Sequence, residues 1–399
     1  MGHHSSHLGL PLTEHRDVEV TLTNWFQQYA CSARSGAPGQ SSVLRIVLPL
    51  LIGTAYWIFS VGSAKAGTPK SLQIYFIDVE GGQSTLVVTP DHHSLLIDTG
   101  FAGDGSGFRP GDPHQARDAN RIMAAAHDAG IQQIDYLLIT HFHPDHDGGV
   151  TELSELMPIR VFIDHGDPSP EAETTVPETN AAFSAYSMLR RGGQHLQPAP
   201  GDRLPLNDLE VTVVSSAGTT LFGPLPAAGA ITTACQEHAM APRDPYENPR
   251  STGIVIRYGK FRFLDVGDLS GQPLFNLACP KSLIGPVDAY LVAHHGGPDV
   301  DVPATFAAFK PRIAIMNNGL KKGGALATYQ ALHHVPGLKD VWQLHRSADA
   351  GDSNFAPQYV ANLDETTSHW IKLTAKKDGS FRVFNDRTGE WTRYAPRSQ

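Results

Sequence analysis

Seven consecutive residues, His141-Phe142-His143-Pro144-Asp145-His146-Asp147, gather three imidazoles and two carboxylates in one short segment. Imidazole nitrogen and carboxylate oxygen suit zinc, with manganese and iron as the other candidates. His141 and His143 alternate, so their side chains can face the same way. Asp145 and His146 lie past the turn at Pro144 and can reach a second ion, so the spacing points to two metals. The segment follows an apolar run, Ile134 to Thr140, that reads as a buried strand, which puts the cluster on a strand-end loop where catalytic groups usually sit. The plain alternative is a histidine-rich polar loop without metal. An H-x-H-x-D-H run wedged between an apolar strand and Gly148-Gly149 argues against it.

Two later strand ends carry further donors. Asp268 emerges beside Gly267 after the run Phe261 to Val266, where its carboxylate can place one oxygen on each of two cations and bridge them. Asp265 competes for that role but lies inside the strand pattern. The strand Ala289 to Ala293 delivers His294 and His295, one to close the second metal's shell and one to contact substrate or orient a ligand. His295 abuts the glycine turn and is the preferred ligand, with His294 as a catalytic group beside Asp145.

These segments resemble the metallo-β-lactamase-fold hydrolases, the metal motif being Thr140 to Gly149. The opening from Leu72 to Gly100, with Gly81-Gly82-Gln83-Ser84 and Asp98-Thr99-Gly100, is similar to the soluble hydrolase domain of the ComEC competence family. So are Gly253 to Ser270 and Ala289 to Gly297, and the likeness spans roughly residues 72 to 320. It implies an α/β, four-layer αββα metallo-β-lactamase-like sandwich and a metal-dependent hydrolase. It also implies a third histidine on the first metal. His165, which follows the run Ile159 to Asp164, and His238, in a loop-like region, are the two candidates, and the strand-end position favours His165. The chain departs from the ComEC pattern at Glu80 to Ser84 and at Asn317 to Lys322, so the resemblance implies hydrolase chemistry rather than DNA uptake.

Two zinc ions sharing Asp268, with manganese or iron as alternatives, would hold and acidify a water, and the resulting bridging hydroxide would attack a phosphodiester. Asp145 would serve as ligand and orient that water. Asn248, Ser251, Asn317, Asn318 and Lys321 are the candidate substrate-binding groups. Ester, lactone or β-lactam hydrolysis is the competing chemistry, and a non-catalytic metal-binding envelope protein is the reading from another class. The formal charge of −9 argues against strong binding of long nucleic acid, so a small molecule or short phosphoester is the expected partner.

The amino-terminal part reads separately. Residues 1–44 lack periodicity and form a leader expected to be disordered. Residues 45–66 combine Arg45, an apolar run and Ser63-Ala64-Lys65-Ala66, the pattern of a signal peptide or, uncleaved, of a membrane anchor. Residues 67–399 form the hydrolase domain, expected to be periplasmic or secreted. Cys235 and Cys279 are its only cysteines, an even count that suggests a disulfide in an oxidising compartment. Helical spacing predicts helices over 116–129, 180–191 and 325–334, and two carboxyl-terminal runs around Lys376 to Gly379 predict a finishing β-hairpin. The Pro- and Gly-rich stretch 217–249 has the length of a lid or binding loop.

Overall fold

Alternation of side chains along the strands decides the architecture, and in the computed structural model it sorts the apolar residues into three cores. The structure describes residues 71–236, 246–300 and 302–398. The leader, the signal-like segment, Cys31 and His238 lie outside them.

The first sheet takes β1 (Leu72–Phe76), β2 (Thr85–Val88), β3 (Ser94–Ile97), β4 (Ile134–Leu138), β5 (Ile159–Ile163) and β6 (Gln194–Leu196). The second takes β7 (Arg203–Leu204), β8 (Glu210–Ser216), β9 (Thr219–Thr220), β10 (Gly253–Tyr258), β11 (Phe261–Asp265), β12 (Ala289–Leu291), β13 (Ile313–Met316), β14 (Asp340–His345) and β15 (Val360–Asn362). Then β16 (Ile371–Ala375), β17 (Phe381–Asn385) and β18 (Glu390–Tyr394) return to the first sheet, where β16 pairs antiparallel with β1.

Leu72, Ile74 and Phe76 of β1 point into the core between the sheets, whereas Tyr75 joins the core on the opposite face. In the second sheet Ile313 and Ile315 face inward, and Ala314 and Met316 face outward. Phe76 and Phe263 meet edge to face across the sandwich, ring centroids 5.7 Å apart. The outer face of the first sheet is covered by helices including α1 (Arg117–Asp128), whose Ala119, Ile122 and Ala126 are buried at helical spacing. It ends, as the spacing predicts, just before Gly130, a residue with φ of 72°. The short α2 (Pro144–Asp147) and α3 (Val150–Leu156) follow β4, while α4 (Ala172–Thr175) and α5 (Thr179–Arg191) follow β5. On the second sheet's outer face lie α6 (Gly271–Ala278), α7 (Val302–Phe309) and α8 (Leu326–Leu332). Three cores between four layers make the expected αββα sandwich.

Two expectations need revision. The carboxyl-terminal hairpin is a three-stranded meander, because β18 (Glu-Trp-Thr-Arg-Tyr) is mostly exposed and carries no apolar run that its sequence could advertise. β14 is buried along most of its length although Asp340, Gln343 and His345 interrupt its apolar pattern. The stretch from 217 is not a free lid over its described length: main-chain bonds from Leu225, Gly229 and Thr232 tie it to Leu283, Ser282 and Pro280 behind the second sheet. Among the described residues no helix is long and apolar enough to cross a membrane.

Cys235 and Cys279 are joined, with Cα atoms 5.8 Å apart and 44 residues separating them in sequence. Closing a loop of that length restricts the unfolded chain, so Cys279→Ser is expected to lower stability by roughly 2–4 kcal/mol. Urea denaturation with and without reductant checks this; identical midpoints would contradict it.

Candidate metal centre

Every candidate donor leaves the carboxyl end of a parallel strand. Strands β3 to β6 run parallel in the first sheet and β11 to β15 in the second, so their ends open onto one crevice. Asp98 follows β3, His141 to Asp147 follow β4, His165 follows β5, Asp268 follows β11, and His294 and His295 follow β12. Pro144 suits the first turn of α2, since its missing N–H is one a helix start leaves unpaired anyway. Gly149 lets that turn pack down, for a Cβ there would lie 2.4 Å from the Thr99 carbonyl oxygen.

Asp145, His146, Asp268 and His295 each offer one ligand atom, all within 4.8 Å of one another. Asp268 Oδ2 stands 3.1 Å from His146 Nε2 and 3.1 Å from His295 Nε2, and Asp145 Oδ2 stands 3.3 Å and 3.2 Å from the same nitrogens. Four donors at the usual zinc bond lengths occupy the corners of a tetrahedron with edges of about 3.3–3.5 Å. The four carboxylate-to-imidazole spacings, 3.1–3.3 Å, come close to that figure, and the donor set suits a divalent cation. A second group adjoins it: His141 Nε2 and His143 Nδ1 converge to 2.9 Å, and His141 Nε2 lies 4.0 Å from Asp268 Oδ2. Asp268 is thus common to both groups. Its Oδ1 is buried without a hydrogen-bond partner among the described residues.

The electrostatics favour positive charge within the four-donor cluster and a neutral imidazole at His141. Burial, with His146 and His143 nearby, pushes the His141 imidazole well below its usual range and leaves it neutral. Burial disfavours charge on Asp145 and Asp268, yet Lys322 and His146 for the former, and His146 and His295 for the latter, hold both carboxyls well below the usual range. Burial also opposes charge on His146, but Asp268, Asp145 and Asp98 outweigh it and raise its pKa well above normal. Asp265 differs. Burial pushes it up to about 7, and it accepts hydrogen bonds from Gln83 and the Gly267 N–H rather than joining the donors.

The remaining candidates divide. His294 Nε2 is 3.9 Å from Asp268 Oδ2, its Nδ1 is 2.9 Å from Asp299, and Asn248 Nδ2 lies 3.3 Å from Nε2, so His294 and Asn248 border the cluster. Burial opposes charge on His294, but Asp268 and Asp299 raise its pKa to about 9. His165 is not among the clustered donors; its Nε2 is paired with buried Glu247 at 2.9 Å. Ser251 is fully buried, and its carbonyl accepts from the Ser215 hydroxyl. Asn317 spends its amide N–H on Gln83, and Asn318 spends its own on the Gly319 and His345 carbonyls, which makes Asn318 a structural residue. Lys321 points to the surface, 3.4 Å from Glu365. Its neighbour Lys322 reaches the centre instead, bonding Asp145 Oδ2 and the Gly81 carbonyl. Neighbouring lysines in a loop carry no phase in the sequence, so only the fold separates them.

Sequence reasoning missed two more residues. Asp98, fully buried, accepts from Thr140 and lies 2.7 Å from His146 Nδ1, orienting that ring. An aspartate between an apolar strand and Thr-Gly was the available signal. Glu247 had none, because its importance depends on where a distant loop lands.

Residues 77–238 match the family model of the metallo-beta-lactamase superfamily. Over that span the chain is similar to the metallo-β-lactamase superfamily, and the two-sheet sandwich agrees with that likeness. No curated protein sequence matches the chain. Among solved structures, it is similar to a variant of the CmlA beta-hydroxylase, at 17% identity and TM-score 0.40, over 70% of this chain and 53% of that one. CmlA is described as a diiron β-hydroxylase from Streptomyces venezuelae, and the chain spans about half its length. It is similar also to the metallo-beta-lactamase fold protein YhfI from Bacillus subtilis, at 11% identity and TM-score 0.40, over 68% and 95%. A third is MEM-A1, a subclass B3 metallo-beta-lactamase from a soil metagenome library, at 17% and 0.32, over 61% and 75%.

Gly82 packs on the ligand loop: a Cβ there would lie 2.4 Å from the Asp145 carbonyl oxygen, and the next residue's N–H bonds that same oxygen. Gly82→Ala is therefore expected to cost about 1–3 kcal/mol of stability by overpacking. Zinc affinity, measured by calorimetric titration, should fall about tenfold, equivalent to ~1.4 kcal/mol. Native affinity in a folded variant would count against this packing role.

Proposed function

We propose that the protein is an exported, dinuclear metal-dependent hydrolase that cleaves a phosphodiester in a small or short substrate. The observation that carries this reading is the partly exposed Lys322 ammonium beside the buried donor cluster, in contact with Asp145. A cation at the mouth of such a centre suits a substrate that brings its own negative charge. Lys322 lies 5.6 Å from the Phe101 ring centroid, so an aromatic surface adjoins the charge.

Two bound cations, zinc in this reading with manganese or iron as alternatives, would supply Lewis acidity and lower the pKa of water to about 7. The chain's own residues do the rest. Asp145, His146, Asp268 and His295 would hold one cation, and His141, His143 and Asp268 the other. Asp98 fixes the His146 ring through Nδ1, so its Nε2 faces the cluster. Lys322 and His294 would bind and orient substrate oxygens. The acidic net charge supports a short phosphoester over long nucleic acid. The disulfide supports an oxidising compartment, and with it export. Within the superfamily, the motifs quoted above support the ComEC-type branch for its chemistry only.

Zinc-loaded protein should turn over bis-p-nitrophenyl phosphate and lose that activity on chelation. Asp268→Ala should reduce it by more than the ~100-fold upper end typical of residues that only support ligands. Turnover of nitrocefin alone would replace the phosphodiester reading with β-lactam or ester hydrolysis. Two equivalents of metal with no turnover of any ester would favour a binding protein.

For Lys322→Met, a roughly tenfold rise in KM is expected with kcat much less affected, in line with loss of one charge-assisted hydrogen bond. A fall in kcat at constant KM would remove Lys322 from substrate binding.

A further inference from the structure

Among the described residues, Glu247 is a carboxylate with no exposed surface. Taking a carboxylate out of water is costly unless its lone pairs are met. Here they are. Oε2 accepts from His165 Nε2 at 2.9 Å and from the Phe142 main-chain N–H at 3.4 Å. Oε1 accepts from the Ser169 N–H and stands 3.3 Å from Arg250 Nε.

These partners belong to separate parts of the centre. Phe142 is the residue between His141 and His143, whose Nε2 and Nδ1 converge to 2.9 Å. His165 ends the next strand, and its ring packs edge-on against Phe142, centroids 4.8 Å apart. One carboxylate therefore ties the peptide that carries two candidate ligands to the ring of a third.

The chemistry of the pair fixes a proton. An ionised carboxylate only accepts, so His165 Nε2 must donate, and in a neutral imidazole the other nitrogen then carries a bare lone pair. His165 Nδ1 is buried and has no hydrogen-bond partner among the described residues. Such an atom is expensive in a histidine that serves packing alone, and it matches what a metal ligand requires.

We propose that Glu247 is a positioning residue of the first-metal half of the centre. It holds His165 with its proton on Nε2 and Nδ1 free to ligate, and it clamps the main chain between His141 and His143. The assignment rests on the two-cation reading above.

The test uses the full chain with 15N-labelled histidine, its His165 signals assigned with a His165→Gln variant. In chelator-treated wild-type protein, the Nε2 proton and a bare Nδ1 are expected. Glu247→Gln keeps the shape but can turn an N–H toward the ring, and it should move the proton to Nδ1. Zinc titration of that variant should show one of two sites weakened about 10–100-fold. A wild-type ring protonated on Nδ1, or on both nitrogens, overturns the proposal without needing any variant to fold. So does a Glu247→Gln protein with an unchanged ring and native zinc affinity. Wild-type protein that keeps the Nε2 proton but takes up fewer than two zinc equivalents overturns the two-cation reading, and supports Glu247 as the group that orients His165.

Discussion

Two carboxylates, Asp145 and Asp268, lie buried with oxygens within 4.8 Å of one another at the ends of strands from opposite sheets. Like charges so placed in a medium of low dielectric repel strongly, and each has already given up its hydration. Such a pair persists ionised only where positive charge stands against it. His146 and His295 sit between the two, Lys322 bonds Asp145 from the open side, and a divalent cation would serve the same end. The high pKa of His146 follows from that requirement, whereas His141 stays neutral because it is buried beside His146 and His143.

The sandwich is what brings the charges together. Parallel strands in both sheets end at one edge, and the apolar core between the sheets holds those two rows of ends in register. Packing in the outer layers then fixes the loops. Thr140 bonds Asp98, Asp98 orients His146, and a Cβ on Gly267 would strike the Thr140 side chain, so the loops from β3, β4 and β11 interlock with little room to move. Ligand geometry is set by backbone contacts as much as by the ligands.

A second cluster shows why composition alone misleads. Asp78, Glu80 and His345 also present donor atoms within 4.8 Å of one another. Arg121 already bonds both carboxylates, and His345 Nε2 lies 2.8 Å from Asp78 Oδ1. That arrangement is a closed ion-pair network joining the end of β1 to the end of β14. It braces the Glu80-Gly81 turn, whose carbonyl in turn receives Lys322.

What could be read from the chain itself was everything local. The apolar runs gave most strands, glycine marked the end of α1, and the dense His-Asp motif exposed the centre because its ligands are neighbours in sequence. Asp268 and His295 were legible for a similar reason, each standing beside a glycine at the end of an apolar run. Tertiary structure alone decided which donors meet and which are spent elsewhere. Lys322 rather than Lys321 enters the site, Asn318 serves the backbone, and Glu247 arrives from more than a hundred residues away to hold Phe142. The physical reason is that spacing along a strand or turn sets only the direction a side chain takes from its own backbone. Its partner depends on how two sheets and their loops pack, which is a property of the whole chain's buried surface.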